Sequence, residues 1–237
     1  MPLRGIDIIC DRFLDDLPNV RYVRLRVTDV SLTIQDVYNS LCDASWVNRL
    51  SARESVKDAY RLRVEQTTAS IRNAFLNGNG TLDADTGEYV VSESARRYLV
   101  NQLHYLDIPL AELMKQRSTG NPGFDFFSMN LNDVLLFGEA KYRGNGDESG
   151  SREAIGQINE FVFGSDPRDV SDIAELQAFL TDAADSNFRA NQKGYVAAFT
   201  TWQESDEHVI DRITRHPNFS SLTQFPELIC VAIQVVS

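Results

Sequence analysis

Basic residues are in deficit in this chain: 23 Lys and Arg stand against 34 Asp and Glu, a formal net charge of −11. A protein that coats nucleic acid by bulk electrostatics needs clustered cations to neutralise phosphates, so that class is excluded. An enzyme that holds cations in a carboxylate site is not, because such a site is itself negative. Weak intrinsic affinity for DNA is what such an enzyme would show if another subunit delivered the substrate. Cysteines are also few. Cys10, Cys42 and Cys230 are odd in number, far apart and set among apolar residues. They build no disulfide framework and read as reduced core residues of a cytoplasmic protein. No apolar run approaches the roughly 18 residues of a membrane span, and the start of the chain turns acidic too soon for a signal peptide. Neither a membrane partner nor export is therefore expected. The three histidines, His104, His208 and His216, show no zinc-like spacing with the cysteines. Internal repeats and low-complexity tracts are missing, as are a phosphate-binding glycine loop and a nucleophile elbow.

What remains is an ordinary globular composition of 237 residues, 43% hydrophobic and 24% charged. The pattern suggests a mostly helical partner-interaction region over 1–108, followed by a catalytic domain over 109–237. Strict alternation in Val20-Arg-Tyr-Val-Arg-Leu-Arg-Val27 predicts a half-exposed strand whose Arg21, Arg24 and Arg26 form an edge for partner contacts. Helical spacing begins at Thr33, and Ser51 to about Leu76 is helical by composition, broken at Asn77-Gly-Asn-Gly80. Gly87-Glu-Tyr-Val-Val91 reads as a short strand, with a helix start at Ser92. The preceding Asp83-Ala-Asp85-Thr-Gly87-Glu88 resembles the start of a calcium loop but lacks its later ligands, so a β-turn is the better assignment. Pro109 fits the first turn of a short helix, and Gly120-Asn-Pro-Gly123 ends the helical half. A strand, a tight turn at Asn130–Asp133 and a second strand follow. After a glycine-rich loop come a helix from Ser151 to Phe163, another over Val170–Ala184, a strand from Tyr195, a helix near Glu207–Arg215 and a closing strand from Leu228. These apolar runs suit a central mixed sheet flanked by helices, an α/β (α+β) fold.

Chemistry concentrates on the hairpin. Asp125 sits in Gly123-Phe-Asp-Phe-Phe, and Glu139 and Lys141 close the run Val134-Leu-Leu-Phe-Gly-Glu-Ala-Lys. Charged groups at the end of a buried strand cost free energy unless they find partners. Glu139 and Lys141 are two apart and so share one face of a strand. With Asp125 on the preceding strand, three charged groups can converge there. Asp125, Glu139 and the backbone carbonyl of Ala140 would offer oxygens to Mg²⁺ or Mn²⁺, and Lys141 would orient the attacking water or offset charge on the phosphate. The competing reading is a structural salt-bridge cluster, since Asp…Glu-x-Lys is a short pattern of common residues. Gln157, on the helix that follows, borders the apolar stripe of Ala154, Ile158 and Phe161 and is placed to reach back to the site; an exposed helix glutamine is its alternative. Glu112, on the short helix before Asp125, is either a further metal ligand or a solvated glutamate.

Taken together, Asp125, Glu139, Lys141 and Gln157, with Glu112 upstream, resemble the PD-(D/E)XK restriction-endonuclease-like nucleases from about Pro109 onward. Phe124 stands where that family commonly has proline. The resemblance implies a restriction-endonuclease-like core whose acids bind the metal and whose lysine assists phosphodiester hydrolysis. More narrowly, Gly123-Phe-Asp-Phe-Phe and Leu135-Leu-Phe-Gly-Glu-Ala-Lys141 are similar to the nuclease subunits of the bacterial anti-phage defence system Hachiman. That resemblance implies DNA as substrate and a companion helicase that restrains the nuclease. The expectation from another class is a non-catalytic scaffold that keeps the fold without the chemistry.

Overall fold

A computed structural model describes residues 4–77, 84–114, 123–144, 146–165 and 167–235. Its centre is a six-stranded mixed sheet in the order β1-β2-β6-β5-β4-β3. The strands are β1 (Ile6–Leu14), β2 (Leu17–Val27), β3 (Phe126–Met129), β4 (Leu135–Lys141), β5 (Lys193–Thr201) and β6 (Glu227–Val235). β4, β5, β6 and β2 run parallel, and each end of the sheet is finished by an antiparallel hairpin partner, β3 on β4 and β1 on β2. Parallel strands covered on both faces read as continuous apolar runs, and every residue of β5 is buried. The main helices are α1 (Val30–Cys42), α2 (Trp46–Arg49), α3 (Glu54–Asn77), α4 (Ala84–Gln102), α5 (Ala111–Met114) and α6 (Gly150–Phe163). They are followed by α7 (Arg168–Asp172), α8 (Asp182–Arg189), α9 (Asp206–Thr214) and α10 (Phe219–Leu222). None of the described helices is long and apolar enough to cross a membrane. Cys10, Cys42 and Cys230 are free thiols.

The first half of the chain is not mainly helical, as the sequence suggested, because it opens with β1 and β2. β2 is an interior strand rather than an edge, with β1 on one side and β6 on the other. Its arginines are engaged within the protein, which corrects the expected Arg21/Arg24/Arg26 contact edge. Arg21 pairs with Asp11 at 2.6 Å. Arg24 is buried and donates to the carbonyls of Trp202 and Glu204 and to Asp206. The side chain of Arg26 reaches Gln234. Alternation with arginine reads as solvent exposure because the acceptors of Arg24 and Arg26 lie about two hundred residues away in sequence, where no local pattern announces them. The sheet and its single buried core run continuously across residue 108.

Two further expectations need correction. Gly87–Val91 is not a strand: α4 runs through it from Ala84, burying Val90, Val91, Ala95, Tyr98 and Leu99 at helical spacing. The calcium-like stretch is the first turn of this helix as far as it is described; Asp83 lies outside the described residues, as do Gly78–Gly80 and Gly120–Pro122. The helix expected over Val170–Ala184 is instead two short ones, α7 and α8, separated by turns. Two buried aspartates on α7 explain its independence. Asp169 accepts from Lys193 Nζ at 2.5 Å and Tyr195 Oη at 3.0 Å, and Asp172 accepts the Phe124 N–H at 2.9 Å. These bonds tie a single turn to the sheet rather than to a longer helix.

Alternation along β4 sorts its side chains between the two faces. Tyr142, just beyond the strand, turns toward α4, where Gly87 leaves room for its ring; a Cβ at Gly87 would lie 2.2 Å from it. Glu139 and Lys141 turn to the other face, where α6 begins: Gly150 would contact Phe199, the β5 partner of Lys141. Phe124, Phe137, Phe161 and Tyr195 pack as tilted and edge-on rings on this face. They form a rigid apolar floor beside the charged groups.

Candidate active site

The β3–β4 hairpin sets the site. Its register pairs Phe126 with Gly138, where the ladder ends; Asp125, the next residue outward, lies near enough to Glu139 for its charge to be felt there. Two like charges close together disfavour each other's ionised forms, so the two acids need a compensating charge. Asp125 is fixed through its backbone on both sides: its N–H donates to the Gly138 carbonyl at 2.9 Å, and its carbonyl accepts from Ala111 N at 2.9 Å. Its Oδ2 accepts the Ala140 N–H at 2.7 Å. In an extended strand a residue's N–H and C=O point to the same side, so the Ala140 carbonyl also lies on the Asp125 side.

Glu139 is fully buried. Its Oε1 accepts from Lys141 Nζ at 2.6 Å, while its Oε2 is buried with no hydrogen-bond partner among the described residues. Burial, then the neighbouring Asp125 charge, pushes the Glu139 carboxyl well above its ordinary range; Lys141 opposes the shift and Glu88 adds to it. Lys141 is affected in the same sense. Burial works against its ammonium, but Glu139, Asp125 and Glu88 together hold its pKa above the usual lysine value. An acid and a base that both hold protons more tightly than normal mark a site with surplus negative charge. One lysine faces three carboxylates, and a divalent cation is the natural complement.

Glu88 was missed by sequence reasoning. Taken as part of a strand, it had no reason to approach β4; on α4 it follows Gly87, whose lack of a side chain lets the helix close on Tyr142. The available signal was the helical spacing of Val90, Val91, Ala95 and Tyr98 immediately after it. Glu112 lies on α5, next to the Ala111 N–H that holds Asp125, and its own carbonyl accepts from Thr67 Oγ1 at 3.1 Å. Glu88, rather than Glu112, is the further acid whose charge is felt at Glu139. Gln157 is half-buried on α6. It lines an open groove of about 500 Å³ together with Lys141, Glu88, Arg143 and Phe161. The structure thus gathers Asp125, Glu139 and Lys141 at one point and sets Gln157 along the same groove.

A second acidic group lies elsewhere. Glu148, Glu204 and His208 bring ligand atoms within 4.8 Å of one another, but Arg212 is already among them. Its Nη1 donates to Glu148 Oε2 at 2.8 Å and to Glu204, so a guanidinium sits where a metal would have to. No protein-family model, curated protein or solved structure matches this chain.

Proposed function

We propose that the protein is a divalent-metal-dependent phosphodiester hydrolase acting on DNA, built on a restriction-endonuclease-like core. One observation carries this reading: a fully buried glutamate, Glu139, has one oxygen without a partner among the described residues and feels the charge of a second carboxylate, Asp125. An unsatisfied buried carboxylate oxygen is costly, and a hard cation with oxygen ligands removes the cost. Asp125, Glu139 and the Ala140 carbonyl would hold Mg²⁺ or Mn²⁺, with Glu88 or Glu112 as an outer acid. The ion would supply charge stabilisation on the phosphate and a water of lowered pKa.

The chain's own residues account for the remaining requirements. Lys141 stays an ammonium at neutral pH because acids surround it, so it donates to a phosphate oxygen and offsets developing charge. Gln157 offers a neutral amide from the groove wall, able to orient water or phosphate without adding charge. The hairpin and the backbone bonds at Asp125 hold the acids rigidly. An acidic protein with such a site has little intrinsic grip on DNA, which fits delivery by a companion helicase in anti-phage defence.

A non-catalytic scaffold remains the rival, favoured by the direct Lys141–Glu139 ion pair, which is the form a purely structural salt bridge takes. The test is incubation of plasmid DNA with purified protein and Mg²⁺ or Mn²⁺, alone and with the product of the adjacent gene, beside Glu139→Gln. Metal-dependent cleavage lost in the variant supports the hydrolase. Equal cleavage by both proteins refutes Glu139 as part of the site; no cleavage under any condition together with no Mn²⁺ binding favours the scaffold.

A further inference from the structure

The groove beside Lys141 is poorly suited to gripping a run of phosphates. Its glutamates, Glu88, Glu153 and Glu160, outnumber its two cations, and neither cation is uncommitted. Arg143 pairs with Glu153 through both Nε, at 3.1 Å, and Nη2. Lys141 is held by Glu139. Duplex DNA is bound chiefly through many phosphate contacts from Lys and Arg, and the described groove provides no row of them.

It provides an aromatic ring instead. Phe161 lies one helical turn beyond Gln157, about 6 Å along α6. Edge-on packing against Phe124, with ring centroids 5.1 Å apart and planes at 76°, holds the ring in place. Phe124 immediately precedes Asp125 and is itself fully buried. Phe161 is only half-buried and forms part of the groove wall. Beside it, Gly156 leaves the wall open: a Cβ there would meet nothing within 4 Å. A fixed aromatic surface, one turn from a phosphate-handling pair and bordered by free space, matches how proteins hold unpaired bases. Stacking on such a ring tolerates any base and needs little positive charge.

We infer that this groove takes nucleic acid as an unpaired strand, with a base beside the scissile phosphate laid on Phe161. A paired base is stacked within its helix and cannot offer a face to the ring, so duplex substrate would need local melting first. The inference rests on the hydrolase reading for the place of the phosphate, and binding tests it separately.

Fluorescence anisotropy with the full-length Glu139→Gln protein, which lowers the surplus charge and leaves the strand uncut, would compare four probes. They are a labelled single-stranded oligodeoxynucleotide, its duplex, the same strand with abasic positions, and the matching oligoribonucleotide. We expect the single strand to bind at least about 10-fold more tightly than the duplex or the abasic strand, the scale of one stacked base. Adding Phe161→Leu, which keeps apolar volume and removes the aromatic face, should erase that advantage; preserved melting temperature confirms folding. The ribonucleotide arm shows which sugar is preferred. Equal binding of single strand, duplex and abasic strand, binding of none of them, or an advantage that survives Phe161→Leu would overturn the inference. If base-dependent binding appears but the wild-type protein with Mn²⁺ cuts nothing, the hydrolase reading fails and the strand-binding groove stands. Cleavage without base dependence gives the reverse result.

Discussion

Replacing Glu139 by glutamine should raise the thermal stability of the metal-free protein, although it removes a charged partner from Lys141. The reason lies in the balance of charges. Burial and Asp125 favour the neutral form of Glu139 more strongly than Lys141 favours the ionised one, so the carboxyl is held well above its ordinary value of 4.5. A group raised in this way contributes stability that is fully present below its unfolded pKa and is lost as pH rises through the folded one. The glutamine, neutral at every pH, avoids that loss and still offers an oxygen to Lys141. Relief of one unsatisfied, repelled carboxylate corresponds to about 1–3 kcal/mol. At roughly 2–4 °C per kcal/mol for a chain of this size, the variant should melt about 2–12 °C higher near pH 8 in chelator. The gap should shrink as pH falls and level off below 4.5, where Glu139 is protonated in both states. Saturating Mg²⁺ should close it from the other side, since an ion bound only by the folded wild type stabilises by about 2.7 kcal/mol at a hundredfold excess over Kd. Differential scanning fluorimetry of both proteins across pH, with and without Mg²⁺, measures all of this. A variant that melts at or below wild type near pH 8, or a gap that widens on acidification, would refute the charge-surplus account.

Lys141→Ala should abolish plasmid cleavage. Gln157→Ala should slow single-turnover cleavage by about 10- to 1000-fold, the range for one positioning hydrogen bond, and leave Mn²⁺ affinity nearly unchanged. Gly87→Ala forces a methyl into the Tyr142 ring and should cost about 1–3 kcal/mol by overpacking; pairing it with Tyr142→Ala should recover part of the loss in a urea titration. Asp172→Ala removes the acceptor of the Phe124 N–H beside Asp125 and should weaken Mn²⁺ binding measured by electron paramagnetic resonance. Asp172→Asn, which keeps an oxygen acceptor, should restore most of that binding.

Legibility in the sequence followed the range of the interactions. The hairpin and the sharing of one strand face by Glu139 and Lys141 follow from period-two alternation and a short turn, both local properties. The turn itself is local: Asn130 Oδ1 caps the N–H groups of Asn132 and Val134. The misread segments depended on distant partners. Arginines on β2 signalled an exposed strand because nothing nearby announces Asp206 or the Trp202 carbonyl. The split of the expected 170–184 helix follows from Asp169 meeting Lys193 and Tyr195, residues over twenty positions ahead. Glu88 fell between these cases. Its helix is local and was readable, but its approach to β4 depends on a contact between Gly87 and Tyr142 that only the packed structure supplies.

The interior position of β2 bears on how the two halves of the chain divide their work. β2 pairs along its length with β6, from Val20–Leu228 to Val27–Val235, and it carries a buried ion network on to α9. α4, also from the first half, packs across β3 to β6 and brings Glu88 to Lys141. The first 108 residues are therefore structural parts of the site, covering the sheet face opposite α6 and setting the charge felt by Glu139. A partner that docks on them would act on an element about one and a half helical turns from the groove: Glu88 and Glu93 lie on the same helix, and Glu93 is fully buried between Arg96 and Arg97. Packed helices shift as rigid bodies between discrete arrangements. A displacement of α4 large enough to break the Glu93 pairs would also move Glu88 relative to Lys141 and change the charge balance at Glu139. Glu88 and the paired Glu93 are thus parts of one rigid element, so whatever holds the Glu93 pairs in place also fixes the charge that Glu88 adds at Glu139.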